Sequence, residues 1–357
     1  MKVPNRNQMM RAGLLVVLLG LMAGCAAPAK KKTFIFYPPP PDEPRIQYLT
    51  SFSSERSLGG RRRFEDFVLG TSLGDQPISK PYGITVHGNK IYVCDSGAAA
   101  VDIADLGKSR LHFFNLDGEG RMRVPINAAV DANGVLYVTD VDRGQILIYS
   151  ADEDYLGAIG KKDEMKPCGL AVTDSRIYVG DLQNHIVRVY DKTNHNLLFS
   201  IPRADGGDKA KLFLPANLAV DHQGRICVSD AGGFFVKIFD AEGNFVRQIG
   251  NIGSDFGQFF RCKGIAVDRE NRIYVVDAAT SVAQLFDAEG QLLTFLGDER
   301  SGREGALYLP AGVAVDYNNV AHFQKFAAPG FKIDYLIFIA NQVGTHKVSV
   351  YGFGRKQ

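Results

Sequence analysis

The chain has 357 residues, and its 41 lysines and arginines are almost balanced by 39 aspartates and glutamates, which gives a formal net charge of +2. Residues 1–24 contain three of the basic residues and no acidic ones, so the remainder holds 38 basic and 39 acidic residues, a formal charge of −1. Proteins that bind nucleic acid through a broad surface need a clear excess of positive charge, so this balance argues against a nucleic-acid partner.

Residues 1–24 are typical of a secretory signal peptide, because a basic start is followed by an apolar run at residues 14–19 that is too short to span a bilayer. Residues 21–25 read Leu-Met-Ala-Gly-Cys and resemble a bacterial lipobox, in which the cysteine thiol receives a diacylglyceryl group before cleavage. The resemblance implies lipidation at Cys25, and Ala26 beside it favours the outer membrane. An ordinary cleaved signal peptide is the alternative.

The segment 25–44 is predicted to tether the lipidated cysteine to a folded domain that begins at residue 45. Its consecutive prolines at 38–41 favour an extended polyproline helix and therefore a semi-rigid spacer; a disordered tail is the alternative. Residues 45–52 then alternate in the manner of an outermost strand, and a short helix is predicted within residues 59–74.

Two strand patterns recur six times along the rest of the chain. The first is a small-residue turn that leads into a short apolar strand, and its copies begin at residues 81, 125, 167, 215, 262 and 310. The second is an apolar strand that ends in an acid or amide, and its copies end at Asp95, Asp140, Asp181, Asp230, Asp277 and Asn341. Two further strands follow each pair, as at residues 236–240 and 245–249.

A unit of four short strands cannot bury its own faces, so the repeats must stack to make a core. The pattern predicts an all-β, six-bladed β-propeller of four-stranded antiparallel blades at residues 45–357. The last unit lacks a fourth strand, since the chain ends shortly after the strand at residues 347–351. Residues 45–52 are predicted to pair with that strand, so that the N-terminal strand completes blade six and both open edges are removed.

The pattern Pro-x-Gly-Ile-Ala-Val-Asp, followed by Ile-Tyr-Val-x-Asp and a strand ending in Phe-Asp-x-x-Gly, resembles the NHL repeat family from about residue 45 to residue 354. The resemblance implies the propeller fold but leaves the function open, because the family includes binding platforms and relatives with enzymatic chemistry. The family pattern also places Asp at the end of the second strand. We therefore expect the six repeated acids and amide to be structural, accepting hydrogen bonds from backbone amides of the following turn.

In a propeller the inner strands line a central channel, and the loops that lead into them form one rim. Enzymes that resemble this fold gather metal ligands at that rim, but the second and third residues of the six inner strands here include no Glu or His. We therefore predict no catalytic residue, no cofactor and no metal, and we interpret the rim as a binding surface. Its candidate residues are Tyr82, Asn127, Arg143, Asn217 and Lys263.

Two further features bear on function. The loops that lead into units four, five and six are long, at residues 203–214, 251–261 and 298–309, and should lie on the rim side. Unit six contains an insertion at residues 317–334 that should emerge on the opposite face, where it either caps the channel or docks a partner. Four cysteines besides Cys25 are predicted to be free thiols, since no pair of them is obviously close enough for a disulfide.

These patterns predict a lipid-anchored, monomeric propeller that acts as a noncatalytic binding or assembly platform in the bacterial envelope, with a protein or peptide as its partner. One alternative is a metal-dependent, lactonase-like hydrolase or lyase. A second alternative is a structural accessory of an envelope electron-transfer or export complex.

Overall fold

A computed structural model describes residues 33–39, 41–59, 77–297 and 304–357. Residues Ile35–Gln357 form one compact unit, and its described part contains 25 strands in six antiparallel sheets. The predicted signal peptide, Cys25 and the helix predicted within 59–74 lie outside the described residues. In the described part of the chain, no helix combines the length and the apolar character that crossing a bilayer requires.

The strands follow one another in blade order, except for the first two, β1 (Phe36–Tyr37) and β2 (Ile46–Phe52). Blade one contains β3 (Pro81–His87), β4 (Lys90–Asp95), β5 (Ala100–Asp105) and β6 (Arg110–Phe114). Blade two contains β7 (Pro125–Val130), β8 (Leu136–Asp140), β9 (Gln145–Tyr149) and β10 (Tyr155–Ile159). Blade three contains β11 (Pro167–Val172), β12 (Arg176–Asp181), β13 (Ile186–Asp191) and β14 (Leu197–Ile201).

Blade four contains β15 (Pro215–Val220), β16 (Ile226–Asp230), β17 (Phe235–Phe239) and β18 (Phe245–Ile249). Blade five contains β19 (Cys262–Val267), β20 (Ile273–Asp277), β21 (Val282–Phe286) and β22 (Leu292–Gly297). Blade six contains β23 (Pro310–Asp316), β24 (Phe331–Asn341) and β25 (Val348–Lys356), together with β1 and β2. The described helices are short: α1 (Gly207–Ala210), α2 (Val320–Phe323) and 3₁₀ turns at Glu55–Leu58, Gly118–Gly120 and Gln324–Phe326.

The core lies between the blades. Each pair of neighbouring blades shares a cluster of buried apolar side chains, so that six clusters follow one another around the described part of the ring. Between blades three and four, for example, Val187 and Val189 belong to one cluster with Ile226 and Val228. Each blade is therefore apolar on both faces, and the stacking of blades is what removes those faces from water.

The predicted closure of the ring is confirmed. Strand β2 pairs with β25 in antiparallel register, from Ile46 opposite Phe353 to Phe52 opposite Val348. Ile46, Leu49 and Phe52 are buried in the clusters on either side of blade six. The first strand of the folded unit therefore holds the last blade in place.

The propeller begins earlier than residue 45, because part of the predicted tether belongs to blade six. Strand β1 pairs with β2, with Phe36 opposite Gln47, so β2 is not the outermost strand and the sheet has five strands. Two aromatic contacts explain the extension: the ring of Phe36 lies 5.4 Å from that of Phe331, and the ring of Tyr37 lies 6.2 Å from that of Tyr351.

The insertion in blade six is partly a lengthened hairpin. Its last residues, from Phe331 onward, extend β24 and pair with the end of β25 up to Lys356. Phe323 and Phe331 are buried in the cluster between blades six and one. The Ala328 amide donates a hydrogen bond to Gln47 Oε1 at 2.9 Å, so the insertion also fastens β2.

Candidate functional site: the channel mouth

The mouth face is the side of the ring where the inner strands begin and the second strands end. The acid at the end of each second strand organises this face. In blade four, Asp230 accepts hydrogen bonds from the Phe213 and Leu214 amides, both at 2.7 Å, and from those of Gly232 and Gly233 at 3.3 and 3.2 Å. One buried carboxylate thus joins the inter-blade loop, which leads into the inner strand, to the turn after the second strand.

The same arrangement recurs at Asp95, Asp140, Asp181 and Asp277, all of which are fully buried. Asn341 replaces the acid in blade six, where its side-chain oxygen accepts from the Tyr308 amide at 3.1 Å. The predicted hydrogen bonds to the following turn are present in the five blades with Asp, and the bonds to the inter-blade loop are an addition that the sequence pattern did not reveal. These groups are structural supports for the mouth face rather than open ligands.

Each inner strand begins with a β-bulge, which directs its second and third residues toward the channel mouth. The third position is Gly in four blades, because neighbouring inner strands approach closely there. A Cβ added to Gly169 would lie 2.6 Å from the Asn217 Cα, and one added to Gly312 would lie 2.5 Å from the Tyr82 carbonyl oxygen. Only glycine fits such distances, so neighbouring inner strands pack closely at this level.

The two asparagines at the third position meet across the channel. Asn127 of blade two donates through Nδ2 to Asn217 Oδ1 of blade four at 2.8 Å, and both side chains are more than nine-tenths buried. Each oxygen also accepts from the amide of the next residue, at 2.9 Å for Asn127 and 2.8 Å for Asn217. This pair bridges two blades that are not neighbours.

The second position brings Tyr82 and Lys263 together. The Lys263 ammonium of blade five lies 4.8 Å from the centre of the Tyr82 ring of blade one, a cation–π contact, and donates to Gln342 Oε1 of blade six at 3.1 Å. Lys263 is 6 % exposed, which is unusual for a lysine whose described contacts are an aromatic ring and an amide oxygen. Four of the five candidate rim residues therefore form two pairs in the channel mouth.

Burial shifts the pKa values of the ionisable groups in the mouth. Burial, and after it the nearby positive charge of Arg261, lower the pKa of Lys263 to about 8. Burial also raises the pKa of Cys168 to about 12 and raises the pKa of Tyr82, so both groups are neutral at pH 7. A thiol with a raised pKa is a poor nucleophile, so the mouth offers hydrogen-bond donors and a cation rather than an activated nucleophile.

Arg143 does not join the other four candidates. It lies in the turn after β8, one strand farther from the channel, and its hydrogen bonds run to the Glu119 and Arg121 carbonyls and to Gln145 Oε1. Its surroundings form a separate pocket.

Exposed aromatic side chains lie on the mouth face of blades four and five, from beside the inner strands to the outermost strand β22. We define the aromatic patch as residues Phe213, Leu214, Phe234, Phe256 and Phe260. Four of them are large side chains more than two-fifths exposed, with Phe256 at 58 % and Phe260 at 54 %. The rings of Phe234 and Phe260 lie 6.4 Å apart, and that of Phe256 stacks on Phe295 at 4.2 Å. Phe213, Leu214, Phe256 and Phe260 lie on two of the three long inter-blade loops that the sequence singled out, whereas Phe234 lies in the turn between β16 and β17. The side chains of the patch were not predicted.

The described side chains do not form a metal-binding cluster at the mouth. Across residues 33–39, 41–59, 77–297 and 304–357, no group of three or more His, Cys, Asp or Glu side chains is arranged to hold a metal ion. Cys94, Cys168, Cys227 and Cys262 are buried and free.

Comparison with known proteins identifies the architecture. A family model described as a 6-bladed beta-propeller matches residues 215–296. No curated protein matches the sequence. The chain is a six-bladed β-propeller.

Solved structures similar to this propeller have varied functions. A structural genomics protein of unknown function from Bacteroides thetaiotaomicron is 12 % identical with a TM-score of 0.60, covering 86 % of this chain and 75 % of the other. A streptogramin B lyase is 11 % identical with a TM-score of 0.52, covering 78 % and 95 %. A nidogen/laminin complex contains a chain 15 % identical with a TM-score of 0.51, covering 64 % and 86 %. At these identities the propeller shares the fold with them, and its function rests on its own residues.

Proposed function

We propose that this propeller is a noncatalytic binding platform whose mouth face docks a protein or peptide partner. The observation on which the proposal depends is the aromatic patch. Large exposed aromatic side chains are enriched at the centres of protein interfaces, whereas solvent-facing loops are usually polar. Here they concentrate on two neighbouring inter-blade loops of a rigid ring.

Backbone hydrogen bonds hold the loops of the patch in place, which suits the patch to binding a partner. Phe213 and Leu214 are held by two hydrogen bonds to Asp230, and Phe260 donates its amide to Asp277 Oδ2 at 2.7 Å. Because the backbone of these loops is fixed before binding, little conformational entropy is lost when a partner docks. The exposed Arg261, next to Phe260 in the chain, adds a positive charge at the rim of the patch.

Site-specific photocrosslinking in the cells that naturally make the protein tests this function. A benzoylphenylalanine residue would replace Phe213 or Phe260 in the patch, and Leu198 as the control. Leu198 is 47 % exposed and lies on the outer strand β14 of blade three. It therefore matches the patch residues in exposure but lies outside the patch.

We expect both patch positions to yield the same crosslinked protein or peptide, and Leu198 to yield none. Equal adducts at all three positions, or different proteins at the two patch positions, would contradict a specific docking face there.

We also propose that the propeller is a lipoprotein of the bacterial envelope, facing its partner from the outer membrane. The support is the lipobox-like sequence that ends at Cys25, since two or more acyl chains give a stable membrane anchor. Labelled palmitate should be incorporated into the wild type and absent from Cys25→Ser, which should also lose its membrane association. Incorporation of label in both proteins would rule out Cys25 as the lipidated residue.

A further inference from the structure

The pocket around Arg143 is a second site, separate from the aromatic patch. It lies on the mouth face of blade two, has a volume of about 340 Å³, and is lined by Gly118, Arg121, Arg123, Asp142, Arg143, Gln145 and Lys162. We propose that this pocket binds a phosphate group, either as inorganic phosphate or as the phosphate of a small ester or lipid headgroup.

Arg143 is the fixed centre of the pocket. Its Nη1 donates to the Glu119 and Arg121 carbonyls at 2.7 and 2.6 Å, and its Nε donates to Gln145 Oε1 at 2.9 Å. Gln145 is itself held through Nε2 by the Gly160 carbonyl at 3.0 Å. The guanidinium plane is thus set before any ligand arrives, and none of its described hydrogen bonds uses Nη2.

The backbone beneath the pocket is equally fixed. The Arg143 amide donates to Asp140 Oδ1 at 3.0 Å, and the Arg123 amide donates to Asp140 Oδ2 at 2.6 Å. One buried carboxylate therefore sets the spacing of two arginines that line the pocket from different loops. Arginine forks preorganised in this way recognise the oxygens of phosphate through paired hydrogen bonds.

The charge of the pocket selects a doubly negative ligand. Asp142 is its single acidic lining residue, and Asp142 pairs with Arg123 at 3.2 Å. Arg121 and Lys162 are exposed, and neither forms an ion pair among the described residues, so with Arg143 three positive charges face the pocket without an acidic partner. A monoanion such as acetate would compensate less of this charge than a phosphate does.

The pocket is also larger than a lone phosphate needs. Its volume falls at the low end of the range of about 300–1,000 Å³ that is typical of small-molecule sites. The organic part of a phosphate ester therefore has room beside the arginines, and the open side of the pocket gives access from solvent.

Isothermal titration calorimetry on the purified full-length protein, at low ionic strength, tests the proposal. Inorganic phosphate, glycerol 3-phosphate and acetate would each be titrated into the wild type, Arg143→Lys, Lys162→Glu and the control Lys209→Gln. Lys209 is an exposed lysine on α1 of the same ring, outside the pocket. Lys162 makes no described structural hydrogen bond, so its variant tests the pocket even where Arg143→Lys disturbs folding.

We expect phosphate to bind the wild type and Lys209→Gln equally, with about tenfold weaker binding to Lys162→Glu and Arg143→Lys and no measurable binding of acetate. Sedimentation with vesicles that contain phosphatidic acid, whose headgroup is a phosphate monoester, against pure phosphatidylcholine vesicles distinguishes the source. Vesicle binding that Lys162→Glu weakens and that free phosphate displaces assigns a lipid headgroup, whereas binding of the soluble phosphates alone assigns a soluble ester.

Failure of the wild type to bind any of these phosphates would overturn the proposal. So would equal phosphate affinity in the wild type and Lys162→Glu, or equal affinity for acetate and phosphate. The aromatic patch is not part of this pocket, so the result leaves the docking proposal to its own crosslinking experiment.

Discussion

Asp102 is a buried acid at a position where three other blades carry a hydrogen-bond donor. It lies opposite Val93 on the third strand of blade one, and the equivalent residues of blades three, four and five are Arg188, Lys237 and Gln284. Each of those three donates to a backbone carbonyl of its own inter-blade loop. Asp102 is fully buried, and neither of its carboxyl oxygens has a hydrogen-bond partner among the described residues.

Asp102→Asn should stabilise the propeller in a pH-dependent way. Burial and the neighbouring Asp95 carboxylate raise the pKa of Asp102 to about 9, from 3.8. Between those values the folded state keeps a proton that the unfolded state has lost, so stability falls as pH rises from about 4 to about 9. We expect the variant to be more stable by about 2–4 kcal/mol at pH 8 and to lose this advantage near pH 4, as measured by urea unfolding.

The matched control is Asp105→Asn at the partly exposed end of the same strand, where the carboxylate accepts from the Lys108 amide. It should not gain stability at high pH. A parallel pH dependence in the wild type and Asp102→Asn would show that the Asp102 carboxyl is not the source of the slope.

Lys263→Met should reveal a pH dependence opposite to that of Asp102, because the contribution of Lys263 to stability rises with pH. Because burial lowers the pKa of Lys263 to about 8, the unfolded state binds more protons than the folded state between about pH 8 and 10.5. The wild type should therefore gain about 1–3 kcal/mol relative to Lys263→Met as pH rises through this window, in urea unfolding at fixed ionic strength. A constant difference across the window would contradict the buried, cationic state assigned to Lys263.

The repeated carboxylate works at the scale of the blade, since each one fixes two separate backbone segments. Asp230→Ala should leave four amides of the inter-blade loop and the turn without their acceptor. We expect a loss of about 3–5 kcal/mol in the free energy of unfolding, because hydrogen bonds to a charged group contribute about 1.5–3 kcal/mol each and are not additive.

Asp240→Ala is the control for this change. Asp240 accepts from the Glu242 and Asn244 amides in an exposed hairpin turn of the same blade, so its removal should cost about 1 kcal/mol. Hydrogen exchange should also rise at the Phe213 and Leu214 amides in Asp230→Ala only. Similar losses in the two variants would mean that the buried carboxylate has no special role in holding the mouth face.

At the scale of the whole molecule, the ring depends on β1 and β2. Removing residues 33–52 should expose the apolar surface that Ile46, Leu49 and Phe52 now cover. Burial of side chains of this size contributes about 1.5–3 kcal/mol each, which is comparable with the whole stability of many domains. We expect the truncated chain to melt at least 10 °C lower, or to be unfolded at 25 °C, by circular dichroism.

A peptide of residues 33–52 added to the truncated chain serves as the control. It should raise the melting temperature progressively as its concentration increases, because it binds the folded ring and restores the missing strands. A peptide with Ile46 and Phe52 replaced by Ser should not. A truncated chain that melts at the temperature of the full-length protein would contradict closure by β2.

The fold was predictable because the six units repeat their strand pattern, and strand alternation, small-residue turns and a missing outer strand each follow from local chemistry. The pairing of β2 with β25 followed from counting strands, whereas β1 did not, because a two-residue strand has no period and is held by rings distant in sequence. The sequence placed Tyr82, Asn127, Asn217 and Lys263 on one rim. It could not show which of them contact one another, because that depends on how closely the inner strands approach across the ring. Arg143 lies on the same face, but in the turn after β8, where its side chain contacts the Glu119 and Arg121 carbonyls instead of the other four candidates.

The closing strand also has a consequence for biogenesis. Strand β2 leaves the ribosome long before β25, so a nascent chain carries an unsatisfied strand edge through the synthesis of roughly 300 residues. Contacts between such distant segments raise the contact order and slow folding, which lengthens the time available for chaperones and for misassociation with other chains.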